Sequence, residues 1–197
     1  METELPTIAH KLYWLLMLCV FGTAAYGETL DGFHVRTAST TLVQGVYQLS
    51  ARMDLPLSEE VLEALANGVS ITLVLDMTVE RKRRYFLWNE SVASLEQRYR
   101  LTFHSLTEQY QVTNLNTAVK ETYPDLSHAL RAVGDLDNFP MIDRRLLYMQ
   151  ERYNVGLRVR LDIESLPSPL RLVAYISNSW RLASPWYLFP LNLHTPR

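Results

Sequence analysis

Apolar residues recur at every second position over much of the chain. In Val155-Gly-Leu-Arg-Val-Arg-Leu-Asp-Ile163 the odd positions are all apolar, and the even ones are Gly156, Arg158, Arg160 and Asp162. This is the pattern of a strand with one buried and one wet face. Burying its apolar side chains is worth roughly 8–15 kcal/mol before conformational entropy is subtracted. A second alternating face runs through Val43, Gly45, Tyr47, Leu49, Ala51 and Met53, and a third through Tyr99, Leu101 and Phe103. Tyr110 and Val112 return as the partner arm of a hairpin, with its turn near His104-Ser-Leu-Thr107.

The longest alternation starts at Val69. Its odd positions run Val69, Ile71, Leu73, Leu75, Met77 and Val79, and then reach Arg81, Arg83, Tyr85 and Leu87. Up to Val79 one face is apolar. Beyond it, Arg81-Lys-Arg-Arg84 puts cations on both faces, and Tyr85-Phe-Leu-Trp88 then puts apolar groups on both. About 20 extended residues would reach about 66 Å, longer than most strands. The segment therefore outruns its sheet, bends at a bulge, or forms two strands, with Arg81–Arg84 where core gives way to solvent. Phe86 and Trp88 are then covered by another element, for which the Trp-rich tail is the candidate.

Helices are few and short. Ser58 is an N-cap followed by Glu59 and Glu60 in the positive first turn, with Leu57 and Leu62 spaced as a hydrophobic staple and Asn67-Gly68 as the stop. Asp125 caps a second helix through Leu126, Ala129, Leu130 and Val133 to Gly134. Asp143 caps a third through Leu146 and Leu147 to about Arg152. After Leu166-Pro-Ser-Pro169, where two prolines oppose helix, Leu170–Ile176 reads as a strand. Trp180–Leu191, broken by Pro185 and Pro190, suits an edge strand. Strands outnumber helices and do not alternate with them. The predicted fold class is therefore α+β, mainly antiparallel β and sandwich-like, with two or three short helices.

The first 27 residues differ from the rest. Leu12–Ala25 is an uncharged run of 14, short for a membrane span and suited to the apolar region of a secretory signal. Ala25-Tyr-Gly27 supplies small residues before a cleavage point between Gly27 and Glu28. The expectation is a signal peptide over 1–27 and one domain over 28–197, located in the periplasm; the alternative is an inner-membrane anchor formed by residues 12–25. Cys19, the only cysteine, would leave with the signal, so disulfides, thiolate nucleophiles and Cys-ligated zinc are excluded from the remainder. A formal net charge of −2 argues against nucleic acid as a partner.

Candidate chemistry is sparse. His10, His34, His104, His128 and His194 offer no metal-ligand spacing, and there is no nucleophile elbow, phosphate loop or dinucleotide fingerprint. No metal or cofactor is expected. Asp162 and Glu164 share a strand face at i, i+2, as a carboxylate pair or as part of an ion-pair row with Arg158 and Arg160. The cation run reads as a solvated strand segment or as a contact for an anionic group.

Several segments together resemble a known family. They are Arg81-x-Arg83 with Trp88, Arg100–Val112, Arg158–Arg171 and Trp180–Trp186. Their order resembles the proteobacterial exported proteins catalogued as domain of unknown function 4390. The resemblance implies a Gram-negative envelope protein with a signal sequence and, from a neighbouring sensor histidine kinase, an envelope signalling context. It brings no catalytic residues. The expectation is a non-enzymatic module binding an envelope protein, such as a membrane sensor kinase, or an anionic envelope component, through Arg81, Arg83, Arg84 and Trp88. The alternative is an envelope enzyme acting on lipid or glycan through Asp162, Glu164 or His104.

Overall fold

The computed structural model describes residues 32–82 and 90–193. The leader 1–27 and the expected contact residues Arg83, Arg84 and Trp88 lie outside the described residues, as does Phe86. Two antiparallel sheets enclose one core. The smaller has the order β1 (His34–Val43), β2 (Val46–Asp54), β7 (Asp135–Asp143). The larger has the order β6 (Lys120–Tyr123), β5 (Gln109–Asn114), β4 (Glu90–His104), β3 (Ile71–Arg81), β8 (Tyr153–Leu161), β9 (Tyr187–Leu191). Helices α1 (Glu59–Ala66), α2 (Leu126–Gly134) and α3 (Ser168–Ile176) complete the α+β, mainly antiparallel architecture.

The alternation predicts the core faces well. Ile71, Leu73, Leu75, Met77 and Val79 on β3, and Val155, Leu157, Val159 and Leu161 on β8, are buried. From β2 they are met by Tyr47, Leu49, Ala51 and Met53. On β3, Thr72 and Val74 are buried as well, so its first half is closed on both sides. The cross-strand neighbours of Val74 are Arg98 and Arg160, whose aliphatic stems shield it while their heads reach carboxylates. Among the described helix ends, Ser58 and Asp125 cap as expected: Ser58 Oγ accepts from Val61 N and Asp125 from His128 N. The β4–β5 hairpin turns after His104 as expected.

Four expectations are corrected. Val43 and Gly45 do not share a strand with Tyr47, because Gln44 and Gly45, both at positive φ, form a tight turn that ends β1. The helix expected after Asp143 is a single 3₁₀ turn, Arg144–Leu146, because Asp143 itself ends β7. Leu170–Ile176 is helical, since Pro169 falls in the first turn, where no backbone N–H is needed. Finally, β8 stops at Leu161: Asp162 caps a 3₁₀ turn over Ile163–Ser165, so Asp162 and Glu164 do not share a strand face.

Candidate functional site

The β3–β4 ladder fixes the position of Arg81. The two strands pair one-to-one from Ile71↔Leu101 to Val79↔Ala93, and then Glu80 meets Ser91, leaving Val92 as an extra residue in β4. This bulge bends the end of the hairpin. Arg81 therefore faces Glu90 on one side and Tyr153 of β8 on the other. Its guanidinium forms an ion pair with Glu90, which raises its pKa further above the usual arginine range. The same guanidinium lies 5.8 Å from the centroid of the Tyr148 ring, a cation–π contact.

The chain after the 3₁₀ turn is tied onto this end. The Tyr148 N–H donates to Tyr153 Oη at 3.0 Å, and the Lys82 N–H donates to Arg152 O at 2.9 Å. Between this segment, the end of β3 and the end of β9 lies a cleft of about 400 Å³, lined by Lys82, Arg152, Tyr153, Asn154, Leu191 and Asn192 among others. Lys82 and Arg152 are both exposed, and among the described residues neither has a carboxylate within ion-pair distance. Glu151 is the acidic residue of the lining. Leu146, Tyr148 and Met149 are exposed beside it. Exposed apolar and aromatic groups next to unpaired cations have the composition of a contact surface.

Arg81 is the one expected contact residue within the described residues. Sequence reasoning placed Lys82 in the cation run but not among the named contact residues, and it missed Tyr148 and Arg152 altogether. The signal for them was the run Leu146-Leu-Tyr-Met149, too apolar for an exposed helix end.

The three residues of the enzymatic alternative are placed apart in function. The Asp162 side chain is 6% exposed and is engaged by Arg98, with Oδ1 accepting from the Glu164 N–H at 3.2 Å. Glu164 is exposed, accepts from the Tyr175 hydroxyl and lies 3.8 Å from Arg171. His104 is exposed at the end of β4, next to the Phe103–Tyr110 ring pair. The expected row with Arg158 and Arg160 is rearranged. Arg160 binds Asp76 at 2.9 Å and Glu96 at 3.4 Å, Glu96 continues to Arg98, and Arg158 lies over Trp186. The outcome is a chain of alternating charge, Asp76–Arg160–Glu96–Arg98–Asp162, across the outer face of the larger sheet.

Among the described residues no cluster of three or more His, Cys, Asp or Glu could hold a metal ion, and no helix is long and apolar enough to cross a membrane. No curated protein and no solved structure matches the chain. Residues 31–190 do match one family, and over that span the chain belongs to the family described as Domain of unknown function (DUF4390).

Proposed function

We propose that this chain is a non-enzymatic binding module of the bacterial cell envelope, and that it engages an anionic group of an envelope partner at the Arg81 end of the larger sheet. The observation that carries this reading is the pair Lys82 and Arg152. Both are exposed and lack a carboxylate partner among the described residues, and they flank a cleft of about 400 Å³ next to Arg81 and the exposed Tyr148. Arginine and tyrosine are residues that concentrate binding energy at interfaces. Cations of this kind steer an anionic partner and speed its association, an effect that salt screens. Binding is favoured over catalysis because Asp162 is already neutralised by Arg98 and Glu164 is already bonded to Tyr175. Residues 12–25 are the basis for assigning the envelope, and a membrane sensor kinase is a partner class compatible with that setting.

The test is crosslinking in intact cells followed by mass spectrometry, comparing the wild type with Lys82→Glu/Arg152→Glu. The double variant is expected to lose the dominant crosslinked partner while keeping the wild-type melting temperature. An unchanged crosslink pattern in a folded double variant would refute the site. Recovery of the chain from the cytoplasm after fractionation would refute the compartment.

A further inference from the structure

We infer that β1 is a self-pairing edge, through which two copies of the chain join their three-stranded sheets into one antiparallel sheet. The four sheet edges are protected very unequally. β6 is 4 residues long and begins with Lys120, and β9 is 5 residues long and contains Pro190. β7 contains Pro140, Asn138 at φ 52° and two register breaks against β2. Shortness, proline, lysine and bulges all discourage an exposed edge from recruiting another strand. β1 has 10 residues, and its stretch Thr37-Ala-Ser-Thr-Thr-Leu-Val43 contains no charge, proline or glycine. Its register irregularity lies before Thr37, and Arg36, held by Asp54, precedes the stretch.

The tight turn determines which backbone groups of β1 are unused. Gln44 and Gly45, at φ 49° and 83°, form the two-residue turn that makes Val43 and Val46 a hydrogen-bonded pair. Antiparallel alternation then assigns Thr41↔Gln48 and Ser39↔Ser50 to the ladder. It turns the N–H and C=O of Ala38, Thr40 and Leu42 away from β2. β1 packs against β8 and β9, yet it pairs with β2 alone among the described strands. Those three residues form no backbone hydrogen bond to any other described element.

The edge is complementary to itself. A two-fold axis through Thr40 sets it opposite Thr40 of the partner subunit, with Ala38 opposite Leu42 of the partner subunit. Each such pair exchanges both N–H···O bonds. Threonine meets threonine, a favourable cross-strand pair, and no like charges are brought together. A foreign peptide added to an edge is selected by side-chain pockets, whereas Ser39, Thr41 and Val43, on the exposed face of this strand, are small and uncharged. Isologous pairing needs no such pocket, because the same patch supplies both halves.

Sedimentation velocity of the purified full chain over a concentration series tests this inference. A dimer fraction that rises with concentration is expected. Thr40→Pro removes an outward N–H and no bond of the β1–β2 ladder, and Thr41→Lys, on the exposed face, sets like charges diagonally across the two-fold axis. Each is expected to return the chain to monomer with wild-type circular dichroism and melting temperature, and the lysine variant should recover dimer at high salt. A wild type that is monomeric throughout overturns the inference. So does association that survives Thr41→Lys, including any driven by residues 12–25.

Discussion

Removing the hydroxyl of Tyr47 should stabilise this protein. Tyr47 lies on β2, between Leu42 of β1 and Ile142 of β7, and is 1% exposed. Its hydroxyl is buried without a hydrogen-bond partner among the described residues, and burial pushes the phenol above its ordinary range despite an opposing pull from Arg144. A buried hydroxyl that exchanges water for nothing costs about 1–3 kcal/mol in protein mutational data. Tyr47→Phe keeps the ring, its packing and its strand position, and deletes only that cost. The expected gain is about 1 kcal/mol, with about 3 as the ceiling. For a chain of this size about 1 kcal/mol corresponds to about 2–4 °C in melting temperature. Urea unfolding should give a higher midpoint with an unchanged slope. Tyr47→Ala, by contrast, should cost about 3–5 kcal/mol through the cavity it leaves. If Tyr47→Phe lowers stability by about 1 kcal/mol, the hydroxyl has a partner and the reasoning fails.

Two further predictions concern a glycine and two carboxylates. Gly134, the last residue of α2, is a helical glycine where alanine would ordinarily gain about 0.5–1 kcal/mol; a Cβ here would stand 2.6 Å from the Met53 carbonyl oxygen, so Gly134→Ala should instead destabilise by about 1–3 kcal/mol in urea unfolding. Asp125 is held down at about 2 by the His128 N–H, Ser127 and the His128 ring, and Asp143 at about 2 by the Arg145 side chain and N–H. A carboxyl group lowered on folding stabilises above its unfolded pKa of about 4 and loses that contribution as pH falls towards 2. Stability should therefore drop across that window, and Asp125→Asn/Asp143→Asn, which keeps capping groups but cannot titrate there, should flatten the profile measured by thermal melts.

Alternation told which side chains point inward but not where one strand ends and the next begins. The run from Val43 to Met53 alternates without interruption, yet the chain reverses at Gln44-Gly45, and Gln44 is an unusual residue for a positive φ. β7, Asp135-Leu-Asp-Asn-Phe-Pro-Met-Ile-Asp143, went unrecognised because two bulges destroy its period against β2 and three aspartates mask it. α3 reads as a strand from the sequence because Pro167 and Pro169 oppose helix, yet they stand at its N-cap and in its first turn, where proline is tolerated. Of its residues only Ala174 is fully buried, while Leu172, Val173, Tyr175 and Ile176 are exposed.

The site was legible only in its first residue for a related reason. The change from apolar to cationic at Arg81 is local and can be read from consecutive residues. Its surroundings are not local: Tyr148 and Tyr153 reach Arg81 only because β8 pairs with β3 in the register Arg81↔Tyr153, across 72 positions of chain. A period of two specifies a face and leaves the neighbouring strand undetermined. The same pairing explains why Asp162 was misplaced. Its sequence neighbours Arg158 and Arg160 are the obvious cations, but Arg160 is directed to Asp76 on β3, and Arg98 on β4 reaches over the buried Val74 to take Asp162. Which arginine neutralises which carboxylate is thus set by strand order, β4-β3-β8, and that order also decides that Lys82 and Arg152, left over at the end of the same sheet, stand beside an open cleft without an acidic partner among the described residues.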